Sequence, residues 1–427
     1  MIGDDINLSR RTVLGGMGLG GLAAAGSASV AAAASAAMPA GRHWDHIVVG
    51  AGVFGAWIAW TLRRRGASVL LVDAWGPAHN RASSGGETRL IRTEYGGDPL
   101  YTRMAWDSLV EWRALSQRHD DPIFHQVGAL YIYPETGPDI DRSVALQRSL
   151  GIPIETLTVP DMARRWPQID FDGIAVGVLQ PTMGALMARR SVQTLVGEFV
   201  AAGGVYRQCA IDPPRSGGAS LDAVRTGDGE ELRAGHYVFA CGPWLPKLFS
   251  DVIGARIVPT RQDVFFFAPQ AGDTRFEGAH MPAWVDMSSK DFHYGFPDIE
   301  SRGFKIALDA HGPLIDPDTA DRRISDQALA DVRAYLTRRF PALARRPLAE
   351  GRFCQYENSD NGDLLIDRHP QWSNGWIVGG GSGHGFKHGP AVGRHVADLV
   401  TRTRRVEPRF ALSAHAPHHG GASDSRS

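Results

Sequence analysis

The sequence predicts an α/β fold: a Rossmann-like dinucleotide-binding domain built from discontinuous segments, with an inserted mixed-sheet α+β substrate domain. Three observations predict it. A strand–glycine turn–helix–strand unit begins near residue 46, and a second strand–glycine loop–helix unit begins near residue 376. Between them, short strand patterns alternate with helical ones. The chain has 427 residues, 43% of them hydrophobic, enough for two such parts.

Residues 46–49 form an apolar run, read as a buried strand. Gly50-Ala51-Gly52-Val53-Phe54-Gly55 follows at once, then an amphipathic helix to about Arg65. A second apolar run, 68–72, ends on Asp73. This is a complete β-α-β unit with G-x-G-x-x-G at its first turn. Gly50, Gly52 and Gly55 allow the tight turn and the approach of a pyrophosphate to the helix N-terminus, and Asp73 can accept hydrogen bonds from a ribose diol. The alternative is a glycine-rich structural turn.

Residues 83–92 are polar and glycine-rich, which predicts a loop. Asp98-Pro99 predicts a helix start, with Leu100, Met104, Leu109 and Val110 as its apolar face. From about 124 to 181 the pattern is mixed strand and short helix. A helix is expected over 186–202 and a strand over 232–240. Strands are expected over 263–267 and 304–308, a helix over 326–338, and a last strand over 376–378. Residues 44–124, 186–257 and 348–412 therefore form the nucleotide domain, 125–185 and 258–347 the substrate domain, and 413–427 a disordered, solvated tail containing His415, His418 and His419.

Charge and cysteine content exclude several classes. The 45 basic and 46 acidic residues leave a net charge of -1, which argues against nucleic acid or an anionic membrane as main partner. Cys209, Cys241 and Cys354 form no disulfide framework, and no Cys/His group has metal-ligand spacing. Only Lys247, Lys290, Lys305 and Lys387 are lysines. In so arginine-rich a chain a lysine asks for a reason, since the two cations do different work.

Ser9-Arg10-Arg11-Thr12-Val13-Leu14, followed by an uncharged Gly/Ala stretch and Ala34-Ser35-Ala36-Ala37, resembles a twin-arginine export signal over residues 1–40. It implies the twin-arginine translocation machinery as a partner and a periplasmic or extracellular location. A transmembrane anchor is the weaker alternative, because a span wants about 20 strongly apolar residues.

Thr88-Arg89-Leu90-Ile91-Arg92, Tyr294-Gly295-Phe296-Pro297, Phe304-Lys305, Cys354-Gln355-Tyr356 and Gly383-His384-Gly385-Phe386-Lys387 together, in this order, resemble the monomeric sarcosine oxidase family, which includes N-methyltryptophan oxidase within the D-amino-acid-oxidase-like group. The resemblance spans about 45–410. It implies an FAD enzyme, active as a monomer, that oxidises the C–N bond of a small amine or amino acid to an imine and passes the electrons to O2, giving hydrogen peroxide. It implies a thioether from Cys354 to FAD; the alternative is a buried core cysteine. Ser84, Gly383, His384 and Gly385 match cofactor-binding positions. Arg92 and Lys387 match the cations that hold the substrate carboxylate, Tyr294 and Tyr356 pocket aromatics, and Arg89 a residue near the flavin ring. Lys305 matches the lysine that assists the oxygen reaction, unless it faces solvent from an edge strand.

Two positions depart from the family. Ser84-Gly85 stands where its members carry paired histidines. Asp309 stands where sarcosine oxidases carry a histidine near the amine, which favours a more basic substrate and argues against sarcosine itself. Two other readings remain open: a dehydrogenase that passes electrons to a quinone or carrier protein, and a non-catalytic flavin carrier.

Overall fold

One sheet grows outward from the strand His43–Val49. Val69–Asp73 pairs parallel on one side and Glu231–Phe239 on the other. Val205–Gln208 and Gly375–Gly379 extend the sheet in the same sense, and Leu365–Arg368 closes one edge antiparallel. The strands come from three separated stretches of chain. The computed structural model describes residues 42–417. The export-signal reading of 1–40, and His418 and His419, lie outside the described residues.

The β-α-β unit forms because its apolar runs can be buried on both faces. Ile47, Val48, Leu70 and Leu71 are all fully buried. The glycine spacing has a steric cause. Gly50 sits at φ +102°, where a Cβ would lie 2.3 Å from the Ala240 carbonyl oxygen. A Cβ on Gly55 would lie 1.8 Å from the Gly50 oxygen, so only glycine lets the helix Val53–Arg64 start this close to the strand. That helix packs against Gly389–Val400, where Gly389 and Gly393 give it room at Trp57.

The second sheet has eight strands, in the order Leu348–Ser359, Ile257–Phe267, Phe304–Asp309, Phe292–Phe296, Ala283–Asp286, Ala129–Tyr133, Val176–Gln180 and Glu155–Leu157. Its register decides the chemistry. Lys305 pairs with Phe266 and Phe296, Ala307 with Val264 and Tyr294, Asp309 with Phe292, and Cys354 with Gln262. Cross-strand partners share a face, and alternate residues on a strand return to it. Lys305, Asp309, Tyr294, Cys354 and Tyr356 therefore project from one face. The other face carries Phe265, Phe267, Phe304, Ile306 and Trp284, packed beneath the helix Asp326–Arg339.

Several expectations need correction. Residues 83–92 are not all loop: Ser83–Gly85 is a 3-10 turn and Thr88–Ile91 is a strand, pairing antiparallel with Gly184–Met187. The helix expected from 186 starts at Ala188, because Leu186 and Met187 finish that partner strand. Asp98 does cap Pro99–Gln117, accepting from Leu100 N at 2.8 Å. Val110, however, is 70% exposed, and Tyr101, Ala105 and Trp112 fill the buried face instead. Leu348–Ser359 hydrogen-bonds along the second sheet, so in sheet membership the third nucleotide segment starts after Ser359. The tail is not wholly solvated: His415 is buried, with its ring nitrogens against Asp360 and the Leu364 carbonyl.

Candidate active site

The dinucleotide fit can be tested at the first glycine turn. A cavity of about 330 Å³ opens there, lined by Gly50, Gly52, Asp73, Ser84, Trp244 and Glu357. The Ser84 hydroxyl accepts from Val53 N at 3.1 Å, which seats the loop 83–86 over the helix start. Asp73 accepts from Ala51 N at 2.7 Å and from Trp75 N and Gly76 N at 2.9 Å each. A carboxylate has about four lone-pair sites, so capacity remains for a ribose. Trp75 and Trp244 pack with ring centroids 4.8 Å apart at one end, an apolar surface suited to a flat base. These features suit a dinucleotide laid along the turn.

Two smaller cavities continue the path. One of about 50 Å³ is lined by Ser83, Ser84, Arg89, Tyr356, Glu357, Gly383 and Gly385. The next, about 60 Å³, is lined by Arg89, Arg92, Tyr294, Asp309, Tyr356, Gly383, His384 and Lys387, among others. Of the residues that the sequence placed around cofactor and substrate, Arg89, Tyr356 and Gly383 line both of these cavities, whereas Lys305, Cys354 and Gly55 line neither. Beyond Arg92 and Phe292 lies a wider chamber of about 290 Å³, lined by Glu94, Tyr95, Tyr131, Tyr133 and Met287.

Each cation is held by specific acceptors. Lys387 donates to the Tyr95 hydroxyl at 2.8 Å and the His384 carbonyl at 2.7 Å. Trp112 Nε1 donates to the Lys387 carbonyl at 2.8 Å and fixes its backbone. Burial, with Arg92 nearby, holds the Lys387 ammonium well below the usual lysine range, while Asp309 pulls the other way. Arg92 donates to the Glu94 carbonyl and lies over the Tyr95 ring, 4.3 Å from its centroid.

The Asp309 carboxyl is pushed up by burial, while the nearby Tyr356, Arg92 and Lys387 oppose the shift. Tyr294 lines the same cavity, and its hydroxyl is pushed up to about 12, chiefly by burial. His384 lines the 60 Å³ cavity rather than the dinucleotide cavity. Its ring contacts the Gly362 carbonyl at 2.8 Å and Tyr95 at 3.3 Å, and burial pushes it down to about 3. It is neutral here.

Lys305 does not face solvent. It is 2% exposed on an interior strand and donates to the Thr88 carbonyl at 2.8 Å and hydroxyl at 3.1 Å. Burial first, and then Arg89, lower its pKa well below the usual lysine value. Arg89 donates to Ser83 O at 2.6 Å, Thr88 O at 2.9 Å and Cys354 Sγ at 3.4 Å. Cys209 and Cys241 stand apart, along the 330 Å³ cavity, and burial raises both thiols.

Comparison with known proteins assigns the fold. The family model described as FAD dependent oxidoreductase matches residues 45–399. The chain belongs to the FAD-dependent oxidoreductase family. The enzyme is 29% identical over 364 residues to monomeric sarcosine oxidase of Bacillus sp. (strain NS-129), covering 84% of this chain and 93% of that one. It is 28% identical over 360 residues to N-methyl-L-tryptophan oxidase of Yersinia pestis (strain Pestoides F), covering 83% and 94%. Among solved structures, L-proline dehydrogenase from P. horikoshii superposes with a TM-score of 0.77 at 21% identity, covering 88% of this chain and 98% of that one. At that identity the likeness speaks for the fold.

Residue types alone missed several parts of this flavoenzyme's site. Tyr95 holds Lys387, Thr88 holds Lys305, and Glu357 faces the cofactor path. Thr88 opens a quoted motif and Glu357 adjoins one, but only the folded register shows where their side chains go.

Proposed function

We propose that this flavoenzyme oxidises the C–N bond of a small amino acid, N-methylated ones included, to an imine, and reduces O2 to hydrogen peroxide. One observation carries the reading. Two cations, Arg92 and Lys387, and one carboxyl, Asp309, line the same 60 Å³ cavity, next to the one that holds Arg89 on the cofactor path. A carboxylate suits the cations and an amine suits Asp309, so the lining matches a zwitterion. FAD supplies the two-electron acceptor. The chain's part is to fix the acid end on Arg92 and Lys387 and the amine beside Asp309. A substrate side chain has room in the 290 Å³ chamber beyond Arg92, so the site is not restricted to glycine derivatives. The names of the similar sarcosine and N-methyltryptophan oxidases support an amino-acid substrate. Stoichiometric peroxide under air tests the oxidase half. Turnover that proceeds only with an added quinone or carrier protein would replace it with the dehydrogenase reading.

The same proposal includes a covalent bond from Cys354 to FAD. It rests on the Arg89–Cys354 contact at 3.4 Å and on the position of Cys354 on the active face of the sheet. Flavin is expected to stay with the acid-precipitated protein and to be released fully from Cys354→Ala, whereas Cys209→Ala and Cys241→Ala retain it. Free flavin from the unaltered protein would reduce Cys354 to a packing residue.

A further inference from the structure

The substrate reading leaves one buried carboxyl without a task. Glu357 follows Tyr356 on the strand Leu348–Ser359, so alternation turns it away from the Cys354–Tyr356 face. It is 7% exposed. Its Oε1 accepts from Gly381 N at a long 3.4 Å, and its Oε2 has no partner. A Cβ on Gly242 would lie 3.3 Å from Oε2 and one on Gly381 would lie 3.0 Å from Oε1, so glycines leave space around the head group. The carboxyl also lines both the 330 Å³ cavity with Gly50 and Asp73 and the 50 Å³ cavity with Arg89 and Gly385. It stands where a dinucleotide passes from one to the other. A buried polar atom without a partner costs free energy, and a bound group is one way to satisfy it.

We propose that Glu357 anchors the cofactor, with Oε2 hydrogen-bonded directly to the middle stretch of the bound dinucleotide, between the pyrophosphate and the ring. The acid form suits this task, because its O–H can donate to a phosphate oxygen at the near end of that stretch, whereas a carboxylate, although it can accept from a polyol hydroxyl, is repelled by the pyrophosphate. The surroundings favour that form. Burial pushes Glu357 up to about 8, opposed only by the Gly381 N–H. The charged or titratable groups that share its cavities are Asp73, His79, Cys209, Cys241, Lys247 and Asp318 in the larger and Arg89 and Tyr356 in the smaller. Among the described residues none forms a salt bridge with Glu357.

The test is FAD affinity, read from flavin fluorescence, in a Cys354→Ala background where binding is reversible. Glu357→Ala is expected to weaken binding roughly three- to tenfold at pH 7, the loss of one net hydrogen bond. Glu357→Gln keeps a neutral donor and should bind within about twofold of its background at pH 7. Between pH 7 and 9 the background protein should lose affinity as Glu357 ionises, while Glu357→Gln changes much less. The proposal is overturned if Glu357→Ala binds FAD as tightly as its background, or if the background and Glu357→Gln share one pH profile. Should Glu357→Ala fail to fold, the pH comparison decides alone.

Discussion

Lys305→Met is expected to slow reoxidation of the reduced enzyme by air by about two to three orders of magnitude, while anaerobic reduction by substrate changes far less. The first electron given to oxygen creates superoxide, a full negative charge, and Lys305 is a buried cation. A cation about 4 Å away lowers that barrier by up to about 4 kcal/mol at an effective dielectric near 20. Lys305 is suited to the task, since two acceptors on Thr88 fix its Nζ and the Phe296 ring lies 4.8 Å away. Two of its three protons are engaged, leaving one free. The pH dependence follows from its lowered pKa. The ammonium prevails below that value, so air reoxidation should fall as pH rises through it and should be nearly flat in Lys305→Met. Stopped flow on the separated half-reactions checks both. A variant that reoxidises as fast as the parent would make Lys305 a packing residue, and another electron acceptor would gain ground.

Lys387→Met is expected to weaken amino-acid binding by roughly ten- to a hundredfold, the loss of one charge-assisted hydrogen bond of about 1.5–3 kcal/mol. Lys387 spends two protons on Tyr95 and His384 and keeps one for a ligand in the 60 Å³ cavity. Burial and Arg92 lower its pKa, so a bound carboxylate restores the ammonium and binding takes up a proton. Affinity should therefore decline as pH rises through the lowered value in the parent, and less so in the variant. Anaerobic titration of flavin absorbance with substrate reads this. Unchanged affinity would leave Arg92 to hold the acid alone.

Local signals carried much of this architecture. The glycine spacing, Asp73, the Asp98-Pro99 cap and the helix start at Asp326 depend on neighbours within a few residues, and each is visible in the chain order. The site motifs were legible through their resemblance to the sarcosine oxidase family; that Lys305, Asp309, Cys354 and Tyr356 share one face is seen only in the strand register. What escaped depends on distant partners. Thr88–Ile91 has only four residues, and its strand state comes from pairing with Gly184–Met187. Leu348–Ser359 reads as part of the nucleotide segment until its long pairing with Ile257–Phe267 is seen. Val110 fits an apolar pattern, yet Trp112 and Leu115 set which way the helix turns inward. Glu357 carries no local mark; burial and an unpartnered oxygen single it out only in the fold.

In the proposed function Arg92 and Lys387 select amino acids over simple amines. The most direct measurement is anaerobic reduction of the enzyme's flavin by an N-methyl amino acid and by its amide, over a concentration series. The acid is expected to saturate at a concentration at least about tenfold lower than the amide. This preference is expected to collapse in Lys387→Met. Equal saturation by acid and amide in the parent enzyme would contradict it.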